Sequence, residues 1–201
     1  MVPSPISPVR SSKRALILRE AAGLFRERGF GGTSMRELAG RVGVEAASMY
    51  NHIRSKDELL ETLCMQVAEA YLTRLREVEQ HDGSALAKIR LLLRHHIHLM
   101  VADAAAVSVA NNEWKHLPPD ALARFKEARR TYERGFAALI EAGIGAGELR
   151  PVNVSVALFT LLSAVRWVEL WYRPERPITP AELEETISTL LLNGLQETAS
   201  V

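Results

Sequence analysis

Residues 33–60 read TSMRELAGRVGVEAASMYNHIRSKDELL, and their turn chemistry decides the fold. Thr33 or Ser34 stands ready to accept a hydrogen bond from the free N–H groups of a helix whose apolar residues, Met35, Leu38, Ala39 and Val42, share one face. Gly43 follows where a helix ends in a left-handed residue that glycine adopts without strain. A second helix is predicted from Glu45 to about Asn51, with Val44 and Met49 inward and the small residues Ala46, Ala47 and Ser48 outward. Ser55 and Glu58 then have the spacing of a capping box, with Asp57 beside the positive end of a further helix. Two helices joined by a tight glycine turn, the second short and small-sided, match the geometry in which the second helix enters the DNA major groove. The expected DNA-contacting set is Thr33, Arg36, Glu45, Ala46, Ala47, Ser48, Tyr50, Asn51, His52 and Lys56. Within it Tyr50, Asn51, His52 and Lys56, with neighbouring Arg54, serve phosphates, while Glu45 to Ser48 and Asn51 face bases. The plainer alternative is a helical hairpin with Tyr50 in the core and the cations in solvent.

The rest of the chain supports the DNA reading through its charge. Net charge is only +1 over 201 residues, but residues 1–56 hold 10 Lys/Arg against 4 Asp/Glu, whereas residues 57–201 hold 15 against 20. The basic part, +6, coincides with the proposed reader, and the acidic part, −5, is repelled from a duplex. A hydrophobic share of 47% supplies a real core. The single cysteine, Cys64, excludes an intramolecular disulfide and fits a reducing cytoplasm; its apolar neighbours Leu63 and Met65 mark it as a buried thiol. The N-terminus lacks a signal-peptide core, and no uninterrupted apolar stretch of about 18 residues is present, so a cytoplasmic location is expected.

Apolar spacing of three to four recurs along the whole sequence and alternating runs are nearly absent, which predicts an all-α fold of about nine helices. The expected organisation is a proline-bearing tail over 1–10, a three-helix helix-turn-helix domain over 11–55, and a helical ligand-binding and dimerisation domain over 56–201. The early prolines predict a flexible or extended tail; simple disorder is its main reading, and a touch of Arg10, Lys13 and Arg14 on the adjacent groove is the alternative. The first helix runs from about Ser12 to Arg28, and the fourth from Lys56 to about Gln80. Further helices are predicted from Ser84 to Ala102, Asp103 to Trp114, Asp120 to Ala142, Val152 to Tyr172, and Thr179 to about Gly194 or Glu197.

The last two helices carry apolar residues around much of their circumference, among them Val156, Phe159, Leu161, Val165, Leu183 and Leu190. Such helices need cover on several sides, and a second copy of the chain supplies it as a four-helix bundle about a twofold axis. All three tryptophans, with Tyr132, Phe136, Phe159 and Tyr172, follow residue 113, a composition that suits an apolar ligand pocket and that core packing explains as well. His95 and His98 share a helix face, and His116 or Asp103 stands as a further candidate metal ligand. Zinc or nickel needs three or four converging ligands and spacing secures two, so no metal is assigned. No phosphate loop, nucleophile elbow or carboxylate pair points to an enzyme.

The pattern also resembles a known family. Phe25, Gly29, Phe30, Thr33, Leu38, Ala39, Gly43, Val44, Met49, Tyr50, His52, Ile53, Lys56, Leu59 and Leu60 match the DNA-binding domain of TetR-type bacterial repressors over residues 13–60. Met49 stands for the commoner leucine, and Ala47 stands where glycine or proline often sits. The resemblance implies a homodimer on a palindromic DNA operator, released by a small apolar effector. Trp171, Tyr172, Arg173, Pro174, Gly194 and Leu195 further resemble the end of acyl-CoA-responsive members, which implies a thioester effector met by cations such as Arg90, Arg94, Arg129 or Arg166. The expected ligand-contacting set is His98, Asn112, Trp114, Phe136, Arg166, Trp167 and Trp171, with no bound cofactor beyond the effector. A metal-responsive or drug-responsive repressor, or a DNA binder without ligand, is the alternative.

Overall fold

The computed structural model describes residues 13–173, 175 and 177–196; the proline-bearing tail with Arg10, the expected start at Ser12, and Pro174 lie outside the described residues. Among the described residues there are nine α-helices and no strand. They are α1 (Lys13–Arg28), α2 (Met35–Val42), α3 (Ala46–Met49), α4 (Lys56–Glu79), α5 (Ala85–Ala102), α6 (Ala104–Asn112), α7 (Pro119–Gly145), α8 (Val154–Trp171) and α9 (Pro180–Asn193). A 3-10 turn, Trp114–His116, separates α6 from α7.

Local chemistry sets most boundaries. Ser34, not Thr33, caps α2: its hydroxyl accepts from the Glu37 N–H while the Glu37 carboxylate accepts from the Ser34 N–H. Gly43 ends α2 at φ 74°, the left-handed cap expected of it. Glu58 donates its N–H to the Ser55 hydroxyl, but its carboxylate turns to the Arg54 N–H, so only half of the expected capping box forms. The Thr179–Glu182 box with Pro180 opens α9 as expected. α7 runs three residues past the predicted stop at Ala142, through Gly143, because the chain turns only at Gly147, whose φ is 72°. α6 ends at Asn112, two residues early, where the 3-10 turn takes over.

The chain divides into two compact units. One runs to Gln66 and takes in Ala105–Ala123; the other holds Val67–Ala104 and the chain from Arg124. The compact units divide after Gln66, inside α4, eleven residues beyond the expected division after residue 55, and α6 from Ala105 on lies in the first unit. In the first unit α1 packs on α2 and α2 on α3, around Ile17, Ala21, Phe25, Leu38, Met49, Ile53 and Leu59. Arg41 clamps α2 to α1 by a two-pronged pair with Glu27 at 2.7 and 2.8 Å and a third bond to Glu20. Arg14 ties α1 to Glu58 of α4 at 2.9 Å. In the second unit α5 packs against α8 and α9 over Ile89, Leu92, Leu93, Ile97, Leu161, Val165 and Leu183.

A close approach fixes the turn between α1 and α2. A Cβ at Gly32 would stand 2.4 Å from the Arg28 carbonyl oxygen, a backbone atom that cannot swing aside. Gly32→Ala is expected to cost about 2–3 kcal/mol of unfolding free energy through the forced backbone shift, measured by urea titration. An unchanged midpoint would show that the turn tolerates a side chain.

Candidate nucleic-acid interface and effector domain

The first unit presents α3 and its flanks outward. Glu45, Ala46, Ala47 and Ser48 are exposed, as are Arg36, Tyr50, Asn51 and His52, while Met49 is fully buried beneath them. Tyr50, 55% exposed, thus points to solvent and not to the core that the hairpin alternative requires. The exposed polar groups around small side chains match the surface by which a short helix approaches base edges, with donors for phosphates at its margins. Arg36 carries no ion pair among the described residues.

Two residues of the expected set face elsewhere. Thr33 is 3% exposed, and its hydroxyl donates to the Gly29 carbonyl at 3.0 Å, which stitches the α1–α2 turn to the end of α1. Lys56 places its ammonium 2.8 Å from both the Phe30 and the Thr33 carbonyl oxygens and 4.3 Å from the centre of the Phe30 ring. Two of its three donors are thereby committed to the turn, which gives it a structural task in place of the phosphate contact expected from charge. The same turn is held from its other side. Phe30 donates its N–H to the Glu113 carboxylate at 2.9 Å, and its ring stacks on His116 at 5.5 Å. Sequence spacing gave no hint of Glu113, since 83 residues separate the partners.

The expected ligand-contacting residues do not converge. Asn112 and Trp114 belong to the first unit, where the Asn112 amide donates to the Ser108 carbonyl. Phe136 is wholly buried and packs edge-on to Tyr132 as core. His98 is exposed beside Glu184. Arg166, Trp167 and Trp171 lie on the outer side of α8. Of the other candidate cations, Arg90 donates to Thr189 and Glu185, Arg94 to Glu184, and Arg129 pairs with Glu133. No group of three or more metal-binding side chains occurs among the described residues.

The second unit instead gathers a polar cluster from several helices. Tyr71 of α4 stacks on His96 of α5 at 4.2 Å, and Tyr132 of α7 shares a 2.9 Å hydrogen bond with the His96 ring. His95 meets the Tyr71 ring edge-on, with its Nε2 buried and unpartnered. Glu169 of α8, 9% exposed, lies close enough to Tyr71 to act on its hydroxyl electrostatically. Removal from water holds the His96 ring well below the ordinary 6.5, at about 3, with His95 adding to the effect. Burial, then Arg74, lowers His95 to about 4. Desolvation also drives both tyrosine hydroxyls up, and the buried Cys64 thiol up to about 12.

These histidines make stability depend on pH. The folded state keeps both rings neutral while the unfolded chain takes protons below about 6.5, so their contribution is complete above that pH and is lost on acidification toward 4. The denaturant midpoint is expected to fall between pH 7 and pH 5, and His96→Gln to flatten that dependence. An equal slope in the variant would place the proton uptake elsewhere.

α8 carries the last distinctive surface. Ala157, Leu158, Leu161, Val165 and Val168 are buried on one side, while Val156, Phe159, Trp167, Leu170 and Trp171 are 44–64% exposed on the other. Leu190 of α9 is 70% exposed. By length and composition alone α8 is apolar enough to cross a membrane. Arg166 and Glu169 interrupt its apolar run.

Comparison with known proteins agrees with this architecture. Residues 17–63 match the family described as bacterial regulatory proteins, tetR family, and residues 82–195 match the tetracyclin repressor-like C-terminal domain. The HTH-type transcriptional repressor KstR2 of Rhodococcus jostii (strain RHA1) is 26% identical over 200 residues, covering 97% of this chain and 98% of that protein. The solved ketosteroid transcriptional regulator KstR2 of Mycobacterium tuberculosis superposes with a TM-score of 0.88 at 22% identity, over 98% of this chain and 100% of the other. AibR, solved with isovaleryl coenzyme A and operator DNA, gives 0.78 at 24% identity, over 89% and 97%. Reader surface, helical second unit and full-length similarity lead to one conclusion: the chain belongs to the TetR family of DNA-binding transcriptional regulators, and not to a family of enzymes.

Proposed function

We propose that the protein is a homodimeric repressor that holds a palindromic operator until an acyl-CoA thioester binds its second unit. The observation that carries the dimer is the α8 stripe: five large apolar side chains stand exposed on the side of the helix opposite its buried face. Water-exposed apolar area of this kind is stabilised by pairing with an identical surface, and a twofold pair of readers suits an operator with two half-sites about one helical turn apart. The exposed α3 surface of the first unit and the helical second unit divide DNA and effector roles between them. Support for a thioester comes from AibR, whose solved complex contains isovaleryl coenzyme A and operator DNA. A ligand releases DNA only by binding the DNA-incompetent state more tightly. The ion pairs of Arg90, Arg94 and Arg129 supply cations that exchange a carboxylate for a coenzyme phosphate.

Operator gel shifts with and without acyl-CoA, across a salt series, test both parts. Operator affinity is expected to fall linearly in log salt, and a medium-chain acyl-CoA to release the DNA at micromolar concentration. Salt-independent binding would remove the electrostatic reader, and release by no thioester would remove the effector class.

A further inference from the structure

We infer that Ala47 and Asn51 read neighbouring A·T base pairs in each operator half-site, Ala47 through a thymine methyl group and Asn51 through the hydrogen-bonding edge of an adenine. That assignment rests on the proposed division of roles, in which the α3 surface meets the operator, and it names the bases the surface selects. Met49 is fully buried and fixes the inward side of α3. The helical turn carries on past it: Tyr50 keeps the right-handed angles φ −68° and ψ −11°, and the Ile53 N–H donates to the Met49 carbonyl at 3.0 Å. At about 3.6 residues per turn, the residues two before and two after Met49 stand about 160° round the axis from it. Those are Ala47 and Asn51, a pair four apart at the centre of the outward face, and both are exposed. Ser48 and Tyr50 fall about 100° to either side of Met49, toward the groove walls and their phosphates.

Each of the two side chains has its match among the base edges. Ala47 ends at its Cβ, so it offers no hydrogen bond and lets the helix come close to the floor of the groove. The apolar group on the major-groove edges is the thymine C5 methyl. Asn51 offers a carbonyl acceptor beside an amide donor, and its side chain makes no hydrogen bond among the described residues. Adenine presents the complementary pair, the N6 donor beside the N7 acceptor. Guanine presents two acceptors there and cytosine a donor alone, so either leaves half of the amide unpaired. Four residues of helix rise about 6 Å and stacked base pairs lie about 3.4 Å apart, so the two contacts fall one or two base pairs from each other.

In the test, the full-length protein selects its site from a library of random duplexes, and the enriched half-site is resynthesised with single replacements. Each thymine is exchanged for deoxyuridine, which lacks the methyl, and each adenine for 7-deazaadenine, which lacks N7. Fluorescence anisotropy at one salt concentration reads the affinity of the parent, Ala47→Gly and Asn51→Ala. One thymine exchange is expected to weaken the parent about fourfold, the worth of one buried methyl, and one adenine exchange within two base pairs of it about fivefold or more. Ala47→Gly is expected to erase the first difference and Asn51→Ala the second. Each comparison sets two duplexes against one protein, so any loss of folded protein cancels. If either difference is absent from the parent or survives in its variant, the base assignment fails while the enriched site keeps the operator reading standing. If no sequence is enriched, both fall.

Discussion

The double variant Phe159→Glu, Trp167→Glu is expected to sediment as a monomer and to lose about 1000-fold in operator affinity. Both residues sit on the outer stripe of α8, at 52% and 61% exposure, so neither change disturbs the packing of Leu161, Val165 and Val168 against the helices within. In the proposed isologous interface each substitution acts twice, which would bring four carboxylates among the exposed Val156, Leu170, Trp171 and their twofold mates. Enclosing unpaired charges there costs several kcal/mol, enough to dissociate a dimer at micromolar concentration. Separated readers then bind each half-site independently and lose the effective concentration that linkage supplies, a factor of about 100 to 10,000. Analytical ultracentrifugation and gel shifts check the two parts. A variant that remains dimeric and binds as the parent does would move the interface off α8.

Lys56→Met is expected to cost about 2–4 kcal/mol of stability and to weaken binding to every DNA sequence. The ammonium donates to the Phe30 and Thr33 carbonyls at 2.8 Å, each a charge-assisted bond, and lies over the Phe30 ring. Methionine keeps the stem but leaves two turn carbonyls without their donor. The turn sets the angle at which α2 and α3 leave α1, so its loosening misplaces the whole reading surface. Salt dependence separates this role from a phosphate contact. A structural lysine leaves the slope of log affinity against log salt unchanged, whereas a lost phosphate contact lowers it by about one. Urea titration with gel shifts at several salt concentrations reads both quantities, and a lower slope at unchanged stability would return Lys56 to the DNA backbone.

Glu113 and Lys56 show where reading a sequence stops. Turn and cap chemistry are local, so Ser34, Gly43, Thr179 and Pro180 revealed α2 and α9 from a few adjacent residues. The exposure of Arg36, Ala46, Ala47, Ser48, Asn51 and His52 likewise follows from helical spacing once Met49 is taken as buried. By contrast, the partner of a long charged side chain depends on atoms far away in the chain. Lys56 reaches back 26 residues to Phe30, and Glu113 meets the same residue across 83. The expected ligand set is scattered for a related reason: aromatic content marks a domain but not a direction. Trp167 and Trp171 face outward and Phe136 lies inside the core. The cluster of Tyr71, His96, Tyr132 and Glu169 draws on four helices, and no spacing within one segment brings them together.

Sequence alone determined the helical class, the helix-turn-helix and the two-sided apolarity of α8, because periodicity, capping and glycine turns are encoded within a few residues of one another. Tertiary structure decided which cation grips the turn, which aromatics are core and which polar groups meet inside the second unit. Those outcomes depend on long-range packing, where side-chain reach and burial, rather than order along the chain, choose the partner.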